Sequence, residues 1–140
     1  MGYCFWLIVY KILTLLCRVS IPKHCIDRGL VIMNLQNIIL SNKVRIGQHC
    51  CLFHNTTLGI KLGHDMKAQC PQIGDGVTIC AGAVIVGPIK LNNGITVAAN
   101  AVVTKSFEDE DIVIGGIPAK RISIHPEWSM LKIGGYYGRI

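Results

Sequence analysis

The sequence predicts an all-β fold, a solenoid of short stacked strands, and three observations support this. Aliphatic residues recur every six positions without a slip over a long central stretch, and the residue four positions after each is again apolar. The 140 residues are 51% hydrophobic but only 6% aromatic, with 15 glycines, which suits many tight corners. Neither a helical period of 3.6 nor a strand alternation of two produces a period of six. The uninterrupted series is Ile73, Ile79, Ile85, Leu91, Val97 and Val103.

Each unit of six is interpreted as one flat face of a coil, a short strand followed by a corner. Three faces make a triangular turn of 18 residues, in which the first residue of each unit points inward and stacks on its counterpart one turn away. The fifth residue also points inward, but closer to the corner, where less space is available. Glycine and asparagine tolerate the positive φ that such corners can require.

The same register extends upstream with two breaks. A run from Ile26 through Ile32 to Ile38 precedes a second run that starts at Ile46. The spacing of eight between these runs predicts that two extra residues bulge at a corner. A second break separates Leu58 from Ile73 by fifteen residues and predicts a loop that leaves the coil within residues 59–72. A functional loop is the favoured interpretation and a harmless insertion is the alternative.

Three segments are predicted: an apolar N-terminal helix over 1–19, the coil over 20–122, and a small C-terminal cap and tail over 123–140. In the last segment HPEWSML is expected to start a short helix, and IVIGGIPAKRI before it to form one closing strand. The N-terminal stretch is too short for a membrane span of about 20 residues and lacks the marks of a signal peptide. We expect it to pack on the coil. The alternative is a helix that contacts a membrane through residues 3–17.

Composition restricts the possible partners. Fourteen Lys and Arg against eight Asp and Glu give a net charge of +6, but the cations are scattered, so we expect no nucleic acid. The seven cysteines include no CxxC pair, which argues against a zinc site. Their odd number suits free thiols in the cytoplasm. The expected location is therefore cytoplasmic, at the inner face of the membrane if the N-terminal helix contacts lipid.

The repeat, together with the terminal GGIPAKRI, resembles the hexapeptide-repeat acyltransferases over roughly residues 20–122. That family folds as a left-handed parallel β-helix, so the resemblance implies this fold and this handedness. It also implies acetyl-CoA as co-substrate, no metal, and a homotrimer with sites between subunits.

Two branches of that family are similar to different parts of the chain. IPKHCIDRGLVI and CPQIGDGVTICAGAVIVG resemble serine acetyltransferases, but Met33 and Asn34 stand where that branch carries Asp-His, and Cys70 stands where it carries the histidine of a His-Pro pair. CLFHNTTLG and AQCPQIGDG resemble short exopolysaccharide and capsule O-acetyltransferases of the colanic acid type. The predicted function is therefore direct acetyl transfer to a sugar hydroxyl in surface polysaccharide biosynthesis. The alternatives are a serine acetyltransferase of cysteine biosynthesis and a non-catalytic β-helix that acts as a scaffold or binding subunit.

Transfer to a hydroxyl needs a general base, and histidine is the natural choice. His54 and Asn34 are each third in their units, and their separation of 20 is one turn of 18 plus the two bulged residues. We therefore expect them to stack, with His54 as the base; an exposed or merely hydrogen-bonded histidine is the alternative. His64 in the loop is a candidate second base or oxyanion donor. Asn34, Asn55 and Cys70 are predicted to bind the acceptor, and Cys70 as a nucleophile is a less favoured alternative.

The resemblance also implies a coenzyme A path along small residues between subunits, with cations at the phosphates. The predicted small residues are Ala81, Gly82, Gly87, Ala98, Ala99 and Asn100. The predicted phosphate contacts are Lys105, Lys120 and Arg121, two of which could instead only keep the surface soluble.

Overall fold

The computed structural model describes residues 2–22, 24–62 and 68–124. Within these ranges one helix, α1 (Gly2–Cys17), precedes a series of short strands. The strands are β1 (Val31–Met33), β2 (Ile39–Leu40), β3 (Arg45–Ile46), β4 (Cys51–Phe53), β5 (Thr57–Gly59), β6 (Lys61–Leu62), β7 (Ala68–Gln69), β8 (Gln72–Ile73), β9 (Thr78–Ile79), β10 (Val84–Val86), β11 (Lys90–Leu91), β12 (Thr96–Val97), β13 (Val102–Val103), β14 (Ile112–Gly116) and β15 (Ala119–Ile124).

The strands form the three faces of a coil. Sheet 1 has the order β1-β4-β9-β12-β14-β15, sheet 2 the order β13-β10-β5-β2, and sheet 3 the order β11-β8-β3. Neighbouring strands within each face run parallel, apart from the final pair β14–β15. Ile79 lies beside Val97, 18 residues later in the chain. The predicted all-β solenoid with three faces per turn is therefore confirmed.

The core is a stack of the aliphatic residues that the six-residue period singled out. Leu52, Ile79 and Val97 follow one another inside sheet 1, and each is fully buried. Thr56 occupies a fifth position and is also fully buried, but its hydroxyl donates to the Phe53 carbonyl at 3.0 Å, so this hydroxyl is not left unpaired. Since each turn covers the next, a single turn could not bury this column alone.

The bulge lies at a different place from the one predicted. Leu40, not Ile38, pairs with Leu58 in sheet 2, and Ile38 takes the fifth position beside Thr56. The two extra residues are therefore 35 and 36, before β2. The Gln36 amide donates to the Asn34 carbonyl at 2.8 Å, which closes the wider turn. Spacing misplaced the bulge because Ile38 and Leu40 are both buried aliphatic residues that fit the repeat.

The second break in the repeat is an arm outside the coil. The chain leaves sheet 2 after Gly59, and β6 pairs antiparallel with β7 before the chain re-enters sheet 3 at Gln72. The residues between these two strands, including His64, lie outside the described residues.

The closing segment is a hairpin and not the single strand predicted. β14 adds to sheet 1 parallel to β12, and β15 then runs back antiparallel to β14. β14 ends at Gly116, at φ +96, and Ile117 and Pro118 form the turn that separates the two strands. The predicted capping helix and tail fall on residues 125–140, outside the described part of the chain.

The prediction that α1 packs on the coil is wrong. Nine of its large apolar side chains are 48–77% exposed. Within the described ranges, no helix is long and apolar enough to cross a membrane.

Candidate functional site

The corner between sheet 1 and sheet 2, here called the first corner, stacks four candidate residues in one column. Met33 pairs with Phe53, so Asn34 lies beside His54. Continuing the registers of β4 with β9 and of β9 with β12 puts Ala81 and then Ala99 in the same column. Asn34 and His54 are thus neighbours on successive turns, with two alanines on the turns that follow.

A second column runs beside the first. The registers of sheet 2 align Asn55 with Gly82 and Gly82 with Asn100, and all three have positive φ, at 60°, 73° and 57°. Asn37 donates its side-chain amide to Asn55 Oδ1 at 2.7 Å. A Cβ at Gly82 would contact Asn100 Oδ1, so only glycine fits there without displacing that side chain. The two columns together make a strip of small side chains beside His54.

His54 has an unsatisfied polar atom. Its ring nitrogen Nδ1 is buried and has no hydrogen-bond partner among the described residues. Its backbone is fixed, since the Gly82 amide donates to the His54 carbonyl at 3.1 Å. A buried polar nitrogen without a partner costs about 1–3 kcal/mol, so one hydrogen-bonding position of this ring is unused within the described part of the chain. Asn34, on the preceding turn, is exposed and left-handed at φ 64°.

The other predicted residues lie elsewhere. Cys70 lies where the arm re-enters the coil, with its sulfur 3.7 Å from Ser41 Oγ. That position is at the corner between sheets 2 and 3, whereas His54 is at the first corner, at the other end of the sheet 2 strands. Lys120 and Arg121 lie on the final strand β15, with Arg121 in an ion pair with Asp109 at 2.9 Å. A phosphate would have to compete with Asp109 for Arg121.

A cavity of about 560 Å³ at the corner between sheets 2 and 3 holds Gly87 and Lys105. Lys61, which the sequence did not predict as a site residue, also lines it, and its Cβ is 3.7 Å from where a Gly87 Cβ would be. Lys105 also holds its ammonium 5.4 Å from the centre of the Phe107 ring. The only signal for Lys61 in the sequence was its position in the segment that breaks the repeat. The two lysines make this cavity a second place that suits an anion.

Among the described cysteines, two at the start of β4 are poor nucleophiles. Burial raises the pKa of Cys50 and that of Cys51 to about 11, so both thiols are protonated near neutral pH. Burial also raises the pKa of Cys80. In the described ranges no three His, Cys, Asp or Glu side chains are grouped so that they could hold a metal ion.

Comparison with known proteins gives a consistent picture. No protein-family model matches the chain. It is 32% identical over 94 residues to the serine acetyltransferase of Staphylococcus aureus strain Mu50, covering 67% of this chain and 44% of the relative. A solved serine acetyltransferase in complex with cysteine superposes with a TM-score of 0.73 at 26% identity, covering 84% of this chain and 48% of that one. The Brucella abortus strain S19 enzyme in complex with coenzyme A gives a TM-score of 0.66 at 27% identity, over 73% and 40% of the two chains.

Two conclusions follow from these similarities. The chain has serine acetyltransferase homologues and shares their hexapeptide-repeat acyltransferase fold, so the predicted left-handed parallel β-helix is confirmed. The predicted polysaccharide O-acetyltransferase, with its sugar acceptor, is wrong, because the relatives are serine acetyltransferases. The chain spans less than half the length of each of these relatives.

Proposed function

We propose that this chain carries out acetyl transfer from acetyl-CoA to the hydroxyl of L-serine, as a serine O-acetyltransferase of cysteine biosynthesis. Its support is the 32% identity to a serine acetyltransferase across two thirds of the chain, together with the superposition on such enzymes bound to cysteine and to coenzyme A. The observation that carries the mechanism is the position of the half-buried His54 at the first corner, beside a strip of small residues.

In the proposed reaction His54 is the general base. The serine hydroxyl attacks the thioester carbon while the ring takes the hydroxyl proton. The carbon–sulfur bond then breaks, and the same proton passes to the departing coenzyme A sulfur, so that O-acetylserine and free coenzyme A leave. Met33, Asn34 and Cys70 stand where the resembling branch has its Asp-His pair and its second histidine. His54 therefore replaces a base that the resemblance would have put at Asn34, one turn earlier.

The strip at the first corner suits the pantetheine arm of coenzyme A. Ala81 and Ala99 have side chains short enough for a ligand to approach the backbone, and Gly82 has none. The described cations that we propose as contacts for the coenzyme A phosphates are Lys61 and Lys105, which share a cavity, and Lys120 and Arg121 on β15.

A homotrimer is part of the proposal. Leu40, Leu58, Ile85 and Val103 point into the coil, so the alternate residues of sheet 2 point outward. Most of these are apolar: Ile39 is 48% exposed, and Val84, Val86 and Val102 are half-buried, with the polar Thr57 between Ile39 and Val84. An apolar outer face on a flat sheet suits contact with another copy. Such contact would bring the sheet 2 strands of one subunit close to His54 of the neighbouring subunit.

We further place the enzyme in the cytoplasm. Its proposed co-substrate, acetyl-CoA, is an intracellular metabolite, and five described cysteines are free thiols, three of them buried.

The experiment is a thiol-release assay with acetyl-CoA and L-serine, with O-acetylserine identified by mass spectrometry. We expect turnover with L-serine well above that with D-serine, L-threonine or glucose. Release of coenzyme A that is independent of any acceptor, or faster with the sugar, would contradict the proposal.

A further inference from the structure

α1 exposes apolar side chains on every side. Phe5, Trp6, Leu7 and Ile8 are consecutive and 61%, 69%, 48% and 57% exposed. Since each helical residue turns by about 100°, four in a row point in four different directions. The same exposure continues through the second half, to Leu15 at 77% and Leu16 at 73%. The helix is therefore apolar nearly all round and not amphipathic in the way of a helix lying on a protein core.

The charged residues of this segment are all basic. Lys11 is exposed midway along α1, and the exposed Arg18 follows the last helical residue. Arg18 has a left-handed backbone at φ 49°, so it does not continue the helix. No acidic residue occurs between residues 1 and 26. The apolar surface of α1 is thus accompanied by positive charge and by no negative charge.

The extent of the apolar surface decides what could cover it. A neighbouring protein face, or two further copies of α1 in a trimer, covers about one stripe of a helix and leaves the remainder in water. A lipid phase covers all the apolar sides at once and leaves Lys11 and Arg18 among the headgroups. The 16 described residues of α1 make a helix of about 24 Å, which can lie along the surface of a bilayer.

We propose that α1 inserts into the surface of an anionic lipid bilayer, with Lys11 and Arg18 among the headgroups and the other sides in the acyl region. Charge complementarity supports this occupant, because Lys11, Arg18 and the net charge of +6 attract an anionic surface, and no acidic residue precedes Asp27. The inference is independent of the transferase activity. It adds a membrane-docked location for the coil.

The test is flotation of the full-length chain with vesicles of phosphatidylcholine containing phosphatidylglycerol, against vesicles of phosphatidylcholine alone. In a Trp128→Phe background Trp6 becomes the one tryptophan, so its emission and its quenching by brominated lipid report on α1 itself. We expect flotation with the anionic vesicles that weakens with salt, a blue shift of Trp6, and quenching by the brominated lipid.

Two double variants provide a matched comparison. Leu15→Ser with Leu16→Ser removes apolar surface from α1, and Ile117→Ser with Ile124→Ser removes comparably exposed surface from the C-terminal hairpin. The first pair should lower partitioning at least about tenfold, and the second should leave it unchanged. Equal losses in both, no flotation by the parent chain, or a Trp6 already shielded from acrylamide in the lipid-free oligomer would overturn the proposal.

Discussion

Asn34 and His54 lie side by side on successive turns of the coil, directly after the paired residues Met33 and Phe53. Asn34 and His54 remain aligned despite a two-residue bulge, because the extra residues 35 and 36 lie between them in the chain. The Gln36 amide donates to the Asn34 carbonyl, so the bulge forms a closed turn. This alignment bears on the mechanism, because serine acetyltransferases, by the sequence resemblance, have their catalytic base at the position of Asn34. In this chain the imidazole has moved one turn along the same column.

Asn34 is predicted to hold the acceptor. Asn34→Gly keeps the left-handed backbone at φ 64° and removes only the side chain, whereas Asn34→Ala adds backbone strain. We expect the glycine variant to fold normally and to raise KM for L-serine by about tenfold, the loss of one hydrogen bond. Steady-state kinetics measure the KM for L-serine, and circular dichroism shows whether the variant is folded. An unchanged KM in the glycine variant would remove Asn34 from the acceptor site.

Gly82 is predicted to be irreplaceable at the first corner. Gly82→Ala would put a methyl group against Asn100 Oδ1 at φ +73°, so we expect it to lose about 1–3 kcal/mol of unfolding free energy and to weaken acetyl-CoA binding. Gly59→Ala is the matched control, since its Cβ would meet only Val86 at an ordinary 3.6 Å. Urea unfolding and calorimetry compare the two. Equal stability of both variants would contradict the close packing inferred at Gly82.

The fold was largely predictable because the repeat depends on local geometry. A buried aliphatic residue every six positions fits only one kind of coil, and Ile73 to Val103 occupy the inner column as expected. The bulge was misplaced because Ile38 and Leu40 are equally apolar, and only hydrogen-bond registers distinguish them. The closing hairpin was missed because Pro118 and Gly116 divide a run that is otherwise continuous in apolar character.

The site was predictable only in part. The alignment of Asn34 with His54 follows from counting residues, so it could be predicted. Lys61 could not, because the arm brings it to Gly87 across a break where counting fails. The acceptor was predicted wrongly because a short motif around His54 favoured one branch while the longer similarity favoured another.

The buried thiols predict how stability depends on alkaline pH. The pKa values of Cys50 and Cys51 are about 11 in the folded chain, against a usual value of 9.0, so the unfolded chain loses these protons first. Their stabilising contribution is complete below pH 9 and is lost as the pH rises towards 11. Urea unfolding at intervals across this range should show falling stability. Cys50→Ala with Cys51→Ala should flatten the decline, and an unchanged slope would show that other groups cause it.

The proposal that His54 is the general base is tested by the rate of L-serine acetylation by the His54→Gln variant, with His49→Gln as its control. Glutamine keeps a polar side chain of similar length but cannot accept a proton, so we predict a fall in kcat of about 10²–10⁴-fold for His54→Gln. His49 is exposed at another corner, and its replacement should leave kcat unchanged. Full L-serine turnover by a correctly folded His54→Gln variant would contradict the central claim.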